Sequence, residues 1–352
     1  MTAANIWLDV YARALSSRFI RSALVYDLLY KLLGIALLAP VAAFVLNHLI
    51  RVSGGLTITN EAIAGFMLSV PGLLFVLVTL TLTLASFYAE QAGLMHIASG
   101  AIRGRPTGWA DALATTVYAL PRLVHLALWQ AAILLAWLLP LVAVAGGAYL
   151  VLLREHDINW YLSNHPPELW AILGIGGLLS VIAAGMLLRY LVDWALSIPV
   201  CLYEQQRGRA ALRRARDLVR GHRWHALTLL TLNLSLAAAA SAALFWLADS
   251  LVAVVLGALQ GIGPMIAATA VSLTLLLALA AFLSFLVLTV YAVVVMHLYL
   301  EIVGTDSIPT QRSETAARQL RIPRVAVVGL LITLLGASAV IAENRLQDLR
   351  VG

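Results

Sequence analysis

Seven arginines crowd one short stretch of this chain: Arg207, Arg209, Arg213, Arg214, Arg216, Arg220 and Arg223. A guanidinium presents a planar fork of N–H donors that matches phosphate oxygens, so the chemistry on offer is capture of an anionic lipid headgroup or a phosphate group. Leu212, Ala215, Val219 and Trp224 recur at helical spacing and can share one side, leaving the arginines to decorate the rest. Each basic residue held near an anionic surface contributes on the order of 1 kcal/mol. The same cluster also has the form of a topology signal, because basic loops are retained on the cytoplasmic side of a membrane. Both readings stand on the sequence.

Ionisable residues inside apolar stretches form the second group of candidates, since burying them is costly enough to imply a role. Arg189 and Asp193 are four apart, share a helix face and can neutralise each other. Glu90, with Gln91 and His96 beside it, sits where a span would meet the headgroup zone or a basic partner from another helix. His125, His297, Asn233 and Asp249 stand alone in apolar surroundings and read as interhelical hydrogen-bonding or interface positions. No His, Asp and Glu cluster has metal-ligand spacing, and Cys201 is the only cysteine, so neither a metal site nor an internal disulfide is expected. No catalytic residue is assigned.

These side chains must be positioned by membrane helices. Of the 352 residues, 62% are hydrophobic and 11% charged, with a mean hydropathy of +0.93, more apolar than a soluble core requires. With a ruler of about 20 apolar residues per crossing, spans are expected near 28–50, 70–97, 122–152, 170–198, 225–257, 266–300 and 325–343. Some exceed one bilayer thickness, which implies tilt, kinks or helices projecting beyond the membrane. The fold class is therefore all-α: a polytopic transmembrane helical bundle of about seven spans, with amphipathic interface helices on the cytoplasmic side. Residues 1–343 form one membrane domain, and 344–352 begin an extracytoplasmic linker.

Arginines collect before the first span, between the second and third, between the fourth and fifth, and before the last. That pattern puts the N-terminus in the cytoplasm and the C-terminus outside. Met1 to Arg21 lack the hydrophobic core and cleavage site of a removable signal peptide. Lys31 is the sole lysine among 23 basic residues, a usage that suggests a GC-rich bacterial genome, and the expected location is the bacterial inner membrane. The net charge of +6 belongs to loops beside spans, so nucleic acid is not an expected partner.

Basic amphipathic stretches at 5–22, 105–122, 207–224 and 310–324 each lead into an outward-going span, and Gly104-Arg105 and Gly208-Arg209 open the middle two alike. This reads as an internal repeat of interface helix plus span, lying along the headgroups with apolar faces toward acyl chains. On the other side, Gly54 to Glu61 reads as a turn followed by a helix capped at Thr59 or Asn60, which Pro71 breaks before the second span. The segment from Asp157 to Pro167 supplies an aromatic belt and a rigid lead into the fourth span.

Three of these segments carry a resemblance: Leu56 to Gly72 (LTITNEAIAGFMLSVPG), the helix ending in Tyr88-Ala89-Glu90-Gln91-Ala92, and Ile198 to Glu204 (IPVCLYE) running into Gly208 to Gly221 (GRAALRRARDLVRG). Together they resemble the membrane domain of bacterial membrane-bound glycerophosphodiester phosphodiesterases, over nearly the whole chain. The resemblance implies a role in glycerophospholipid metabolism, with phospholipids and a glycerophosphodiester as partners. In that family a barrel-type catalytic domain with His-Arg-Gly and Glu-Asn motifs and a divalent metal follows the last span. This sequence has no His-Arg-Gly; His222-Arg223-Trp224 and Glu343-Asn344 are the nearest look-alikes, expected on opposite sides of the membrane. No cofactor is therefore assigned to this chain, the metal belonging to a domain that would follow Gly352. The implied role is an anchoring and lipid- or substrate-presenting module. A transporter lined by Glu90, Arg189 and Asp193, and a scaffold for a protein partner, are the alternatives.

Overall fold

The structure, a computed structural model, describes residues 18–32, 34, 69–105, 107–153, 158–258 and 261–304. Within them the chain is helical, with no strand among the described residues. A helical stretch at 18–32 precedes eight helices: α1 (Val70–Ile102), α2 (Trp109–Leu152), α3 (Ile158–Asn164), α4 (Pro167–Asp193), α5 (Ser197–Tyr203), α6 (Gly208–Val219), α7 (Arg223–Ala258) and α8 (Ile262–Val303). Among the described residues, five segments are long and apolar enough to cross a membrane: Val70–Ile102, Trp109–Leu152, Pro167–Tyr203, Arg223–Val254 and Met265–Val303. They correspond to the second to sixth expected spans. Most of the first span, the loop at 51–68, and everything from 305 onward, including the stretch 310–324, the span 325–343 and the linker 344–352, lie outside the described residues. So do the start of the stretch 5–22 and residues 154–157.

Local chemistry sets the helix starts. Ser69 caps α1, its Oγ accepting the Gly72 N–H at 3.2 Å, and Pro71 sits in the first turn, where its missing N–H costs nothing. The Asp111 carboxylate accepts the Gly108 N–H at 3.3 Å and starts α2. From there α2 runs unbroken through 44 residues, with Pro121 and Pro140 inside it. The expected interface helix at 105–122 and the span after it are thus one rod of about 66 Å at 1.5 Å per residue, roughly twice the hydrocarbon thickness. Interior prolines are tolerated in membrane helices because neighbours satisfy the freed carbonyls.

Packing divides the spans in two. One end is dense: the C-terminal half of α1, the N-terminal half of α2, α5, α6, the start of α7 and the end of α8 share one core around Leu94, Met95, Leu123, Leu126, Leu196, Val200, Met296 and Leu298. All the described arginine-rich connections, at 103–105 and 207–223, lie at this end. Along the other half, Leu74, Val78, Leu138, Val181, Leu236 and Leu277 stand exposed, as helices immersed in lipid should be. At the far tip, Tyr161 of α3 packs with Leu153 and Leu169, joining α2 to α4. An apolar cleft of about 440 Å3 separates α7 from α8, between Ala237, Leu244 and Phe245 on one side and Leu273, Leu276 and Leu283 on the other.

The helical stretch at 18–32 docks on α1 through tyrosines. Tyr26 Oη donates to the Ala89 carbonyl at 2.8 Å and lies 3.1 Å from Thr116 Oγ1, while Tyr30 Oη donates to the Ser86 carbonyl at 2.7 Å. Gly93 makes room: a Cβ there would fall 2.0 Å from Tyr26 Cζ.

Candidate functional site

Asp193 organises the basic end. Its side chain is 1% exposed at the last turn of α4, and it accepts from Arg216 Nε at 3.2 Å and Arg223 Nη2 at 2.9 Å. Arg189, its expected partner four residues earlier, is 3.9 Å away and 69% exposed. The expected self-contained pair is therefore the weakest of three contacts. The carboxylate instead ties α4 to α6 and to the start of α7, uniting candidates that the sequence placed in separate groups.

The rest of α6 is held just as specifically. Ala211, Leu212, Ala215 and Val219 form its buried face, turned into the protein core rather than toward acyl chains, and Trp224 leaves that face with 82% exposure. Arg214 Nε donates to Glu204 Oε2 at 2.7 Å, and Tyr299 Oη donates to Glu204 Oε1 at 3.2 Å, so one carboxylate links α6 to α8. That hydrogen bond to a carboxylate raises the Arg214 guanidinium above its ordinary pKa. Arg209 stacks 5.1 Å above the Trp129 ring of α2, and Trp129 Nε1 donates to His125 Nε2 at 3.1 Å. Arg207, Arg213 and Arg220 are exposed and have no ion-pair partner among the described residues. Four arginines thus hold the helix in place and three remain open to an external anion.

Gly104 and Gly208, the two glycines of the repeated Gly-Arg pair, both take left-handed backbone, with φ of +71° and +48°. The repeat stops there. Gly208 begins its helix directly, while Gly104 closes a turn and α2 starts only at Trp109.

Glu90 finds the basic partner expected from another helix. Lys31 Nζ lies 3.9 Å from Glu90 Oε1 and 2.7 Å from Asp27 Oδ2, a carboxylate the sequence reading did not single out. Asp27 Oδ1 and Glu90 Oε1 accept no hydrogen bond among the described residues. No ion pair joins this trio to the Asp193 network among the described residues, so Glu90 is not brought together with Arg189 and Asp193. Other polar groups line the packed end: Tyr88 bonds Gln130, and Tyr203 Oη lies 2.7 Å from Ser99 Oγ, with Arg103 over the Tyr203 ring.

Arg122 is a buried charge easily overlooked in the sequence, where it looks like one more loop arginine. It is 6% exposed on α2, and its Nη1 donates to the Cys201 carbonyl at 3.1 Å while its guanidinium lies 5.1 Å from the Tyr118 ring centre. Among the described residues no three His, Cys, Asp or Glu side chains converge.

Comparison with known families bears directly on this architecture: a family model described as the membrane domain of glycerophosphoryl diester phosphodiesterase matches residues 14–338. No curated protein and no solved structure matches the chain.

Proposed function

The chain belongs to the family of glycerophosphoryl diester phosphodiesterase membrane domains, and from that membership we propose that it is a membrane anchor holding anionic phospholipid at its arginine-bearing end. On this reading the arginine end faces the cytoplasm of a bacterial inner membrane. Only where the chain continues beyond Gly352 into a catalytic domain would that domain hydrolyse glycerophosphodiesters, on the opposite face. The observation that supports it is the division of labour within α6 and its flanks. Asp193, Glu204 and Trp129 immobilise Arg216, Arg223, Arg214 and Arg209, while Arg207, Arg213 and Arg220 stay exposed beside lipid-facing spans. Open guanidinium groups on a helix that is itself held in place attract phosphates without the entropy cost of ordering a loop. The transport reading draws no comparable support, since its three residues belong to two separate ion-pair networks.

The test is lipid selectivity in reconstituted bilayers. Spin-labelled phosphatidylglycerol should be enriched next to the protein relative to phosphatidylcholine. Arg213→Gln with Arg220→Gln should reduce that preference by about fivefold per arginine, the equivalent of roughly 1 kcal/mol each. Equal association of both lipids with the unaltered protein would refute the reading.

A further inference from the structure

We propose that Asp27 and Glu90 share a single proton, and that this proton latches the helical stretch at 18–32 onto α1, so that the stretch is released as pH rises. The inference does not depend on the lipid reading and concerns a different ion-pair network.

The charge count carries the case. Lys31 is the one cation of the trio, its Nζ lying 2.7 Å from Asp27 Oδ2 and 3.9 Å from Glu90 Oε1. Two carboxylates therefore face one ammonium. Asp27 is 3% exposed, and Glu90 is nearly as well covered, so water does little to screen the surplus. Asp27 Oδ1 and Glu90 Oε1 are buried and receive no hydrogen bond, although the two side chains stand within hydrogen-bonding reach of each other. Carboxylates buried at close quarters resist ionising together, and an uncompensated charge out of water is strongly destabilising. One proton held by the pair removes the surplus charge and supplies the missing donor.

The neighbouring groups leave that task to the pair. On the same helical stretch Tyr26 and Tyr30 direct their hydroxyls to the Ala89 and Ser86 carbonyls, and Arg18 and Arg21 are exposed. Tyr88 of α1 turns to Gln130 of α2, and what α2 brings to the docked stretch is the uncharged Thr116, 3.1 Å from Tyr26 Oη. No further cation pairs with Asp27 or Glu90 among the described residues.

Because Glu90 belongs to α1 and Asp27 to the stretch at 18–32, the proton bridges two elements. When the stretch lifts away, both carboxylates enter water and ionise. The docked state thus binds one proton more than the released state, so docking is firm at low pH and weakens as pH rises, by up to about tenfold in the docked-to-released ratio per pH unit.

The full chain in bilayers is spin-labelled at Leu24→Cys and Val117→Cys, exposed positions on the stretch and on α2, with Cys201 buried and out of reach of the label. Pulsed electron resonance then measures the distance between the labels from about pH 5 to about pH 9, where a one-proton linkage is read as a slope. One docked distance should give way to a second, longer population as pH rises. Glu90→Gln and Asp27→Asn each replace the shared proton by a neutral amide and should stay docked throughout. Tyr26→Phe should weaken docking at every pH and keep the slope, which separates a merely structural contact from the latch. In infrared spectra at neutral pH the docked protein should show a protonated-carboxyl band that both amide variants remove. A docked population unchanged with pH overturns the latch, and so does an unaltered slope in either amide variant. Absence of the carboxyl band at neutral pH overturns the shared proton itself.

Discussion

Asp193 allows a prediction in which sign matters more than size. The carboxylate is almost wholly buried, and its two close partners, Arg216 at 3.2 Å and Arg223 at 2.9 Å, are half exposed. Asp193→Asn keeps an acceptor oxygen and leaves two arginines that water can solvate, so it should cost about 1–2 kcal/mol of stability, less than the full worth of two charge-assisted bonds. Arg216→Gln with Arg223→Gln is the harsher change, because it strands a buried carboxylate with only the distant Arg189; breaking a buried pair in this direction costs about 3–5 kcal/mol. Adding Asp193→Asn to that double variant removes the stranded charge and should recover about 2 kcal/mol. Equilibrium unfolding in mixed micelles, followed by tryptophan fluorescence, measures all four proteins. A triple variant less stable than the arginine double, or a double no worse than Asp193→Asn, would refute the idea that α4, α6 and α7 are joined through this one carboxylate.

Three further outcomes follow from the same contacts. Gly208→Ala should destabilise by about 2 kcal/mol or more, since the new methyl meets both a left-handed backbone and the Trp129 ring, whereas Gly104→Ala, with open space around it, should cost about 1 kcal/mol for the backbone alone; the same unfolding measurement separates them, and equal costs would discount the close approach. Tyr26→Phe removes the hydroxyl contacts to Ala89 and Thr116 and should cost about 1 kcal/mol, with faster proteolysis at Arg21 or Lys31 as the local readout. Cys201, fully buried against α2, should react with a maleimide only after denaturation; rapid labelling of the folded protein would place it wrongly.

The five described spans were legible because each is a long apolar run between charged loops, and such a run has few other uses in a chain of this composition. Their ends were less so. Trp109 to Arg122 mixes charged and apolar residues and looks like a helix lying on a surface, yet its alternation serves the buried face of a rod that continues past the membrane. Local spacing favoured Arg189 for Asp193 because they are four apart on one helix. The stronger partners lie 23 and 30 residues further on, across two and three breaks in the helices, and helical periodicity carries no information about them. Arg122 illustrates the converse difficulty: an arginine flanking a span reads as a topology signal, and only burial distinguishes it from its neighbours. The shared left-handed glycines before Arg105 and Arg209 were foreshadowed by the repeated dipeptide, because few residues other than glycine tolerate that backbone.

The unequal packing of the two halves has a consequence for experiment. Among the described residues the packed end forms a hub and the lipid-exposed halves of the spans are its legs; the solvent for the legs is the bilayer itself, so thickness or lateral pressure should change how far the legs splay more than it changes the hub. Detergent extraction removes that solvent. Measurements made afterwards will report on the hub, and spin-label distances between leg tips should differ between micelles and bilayers while distances within the hub agree.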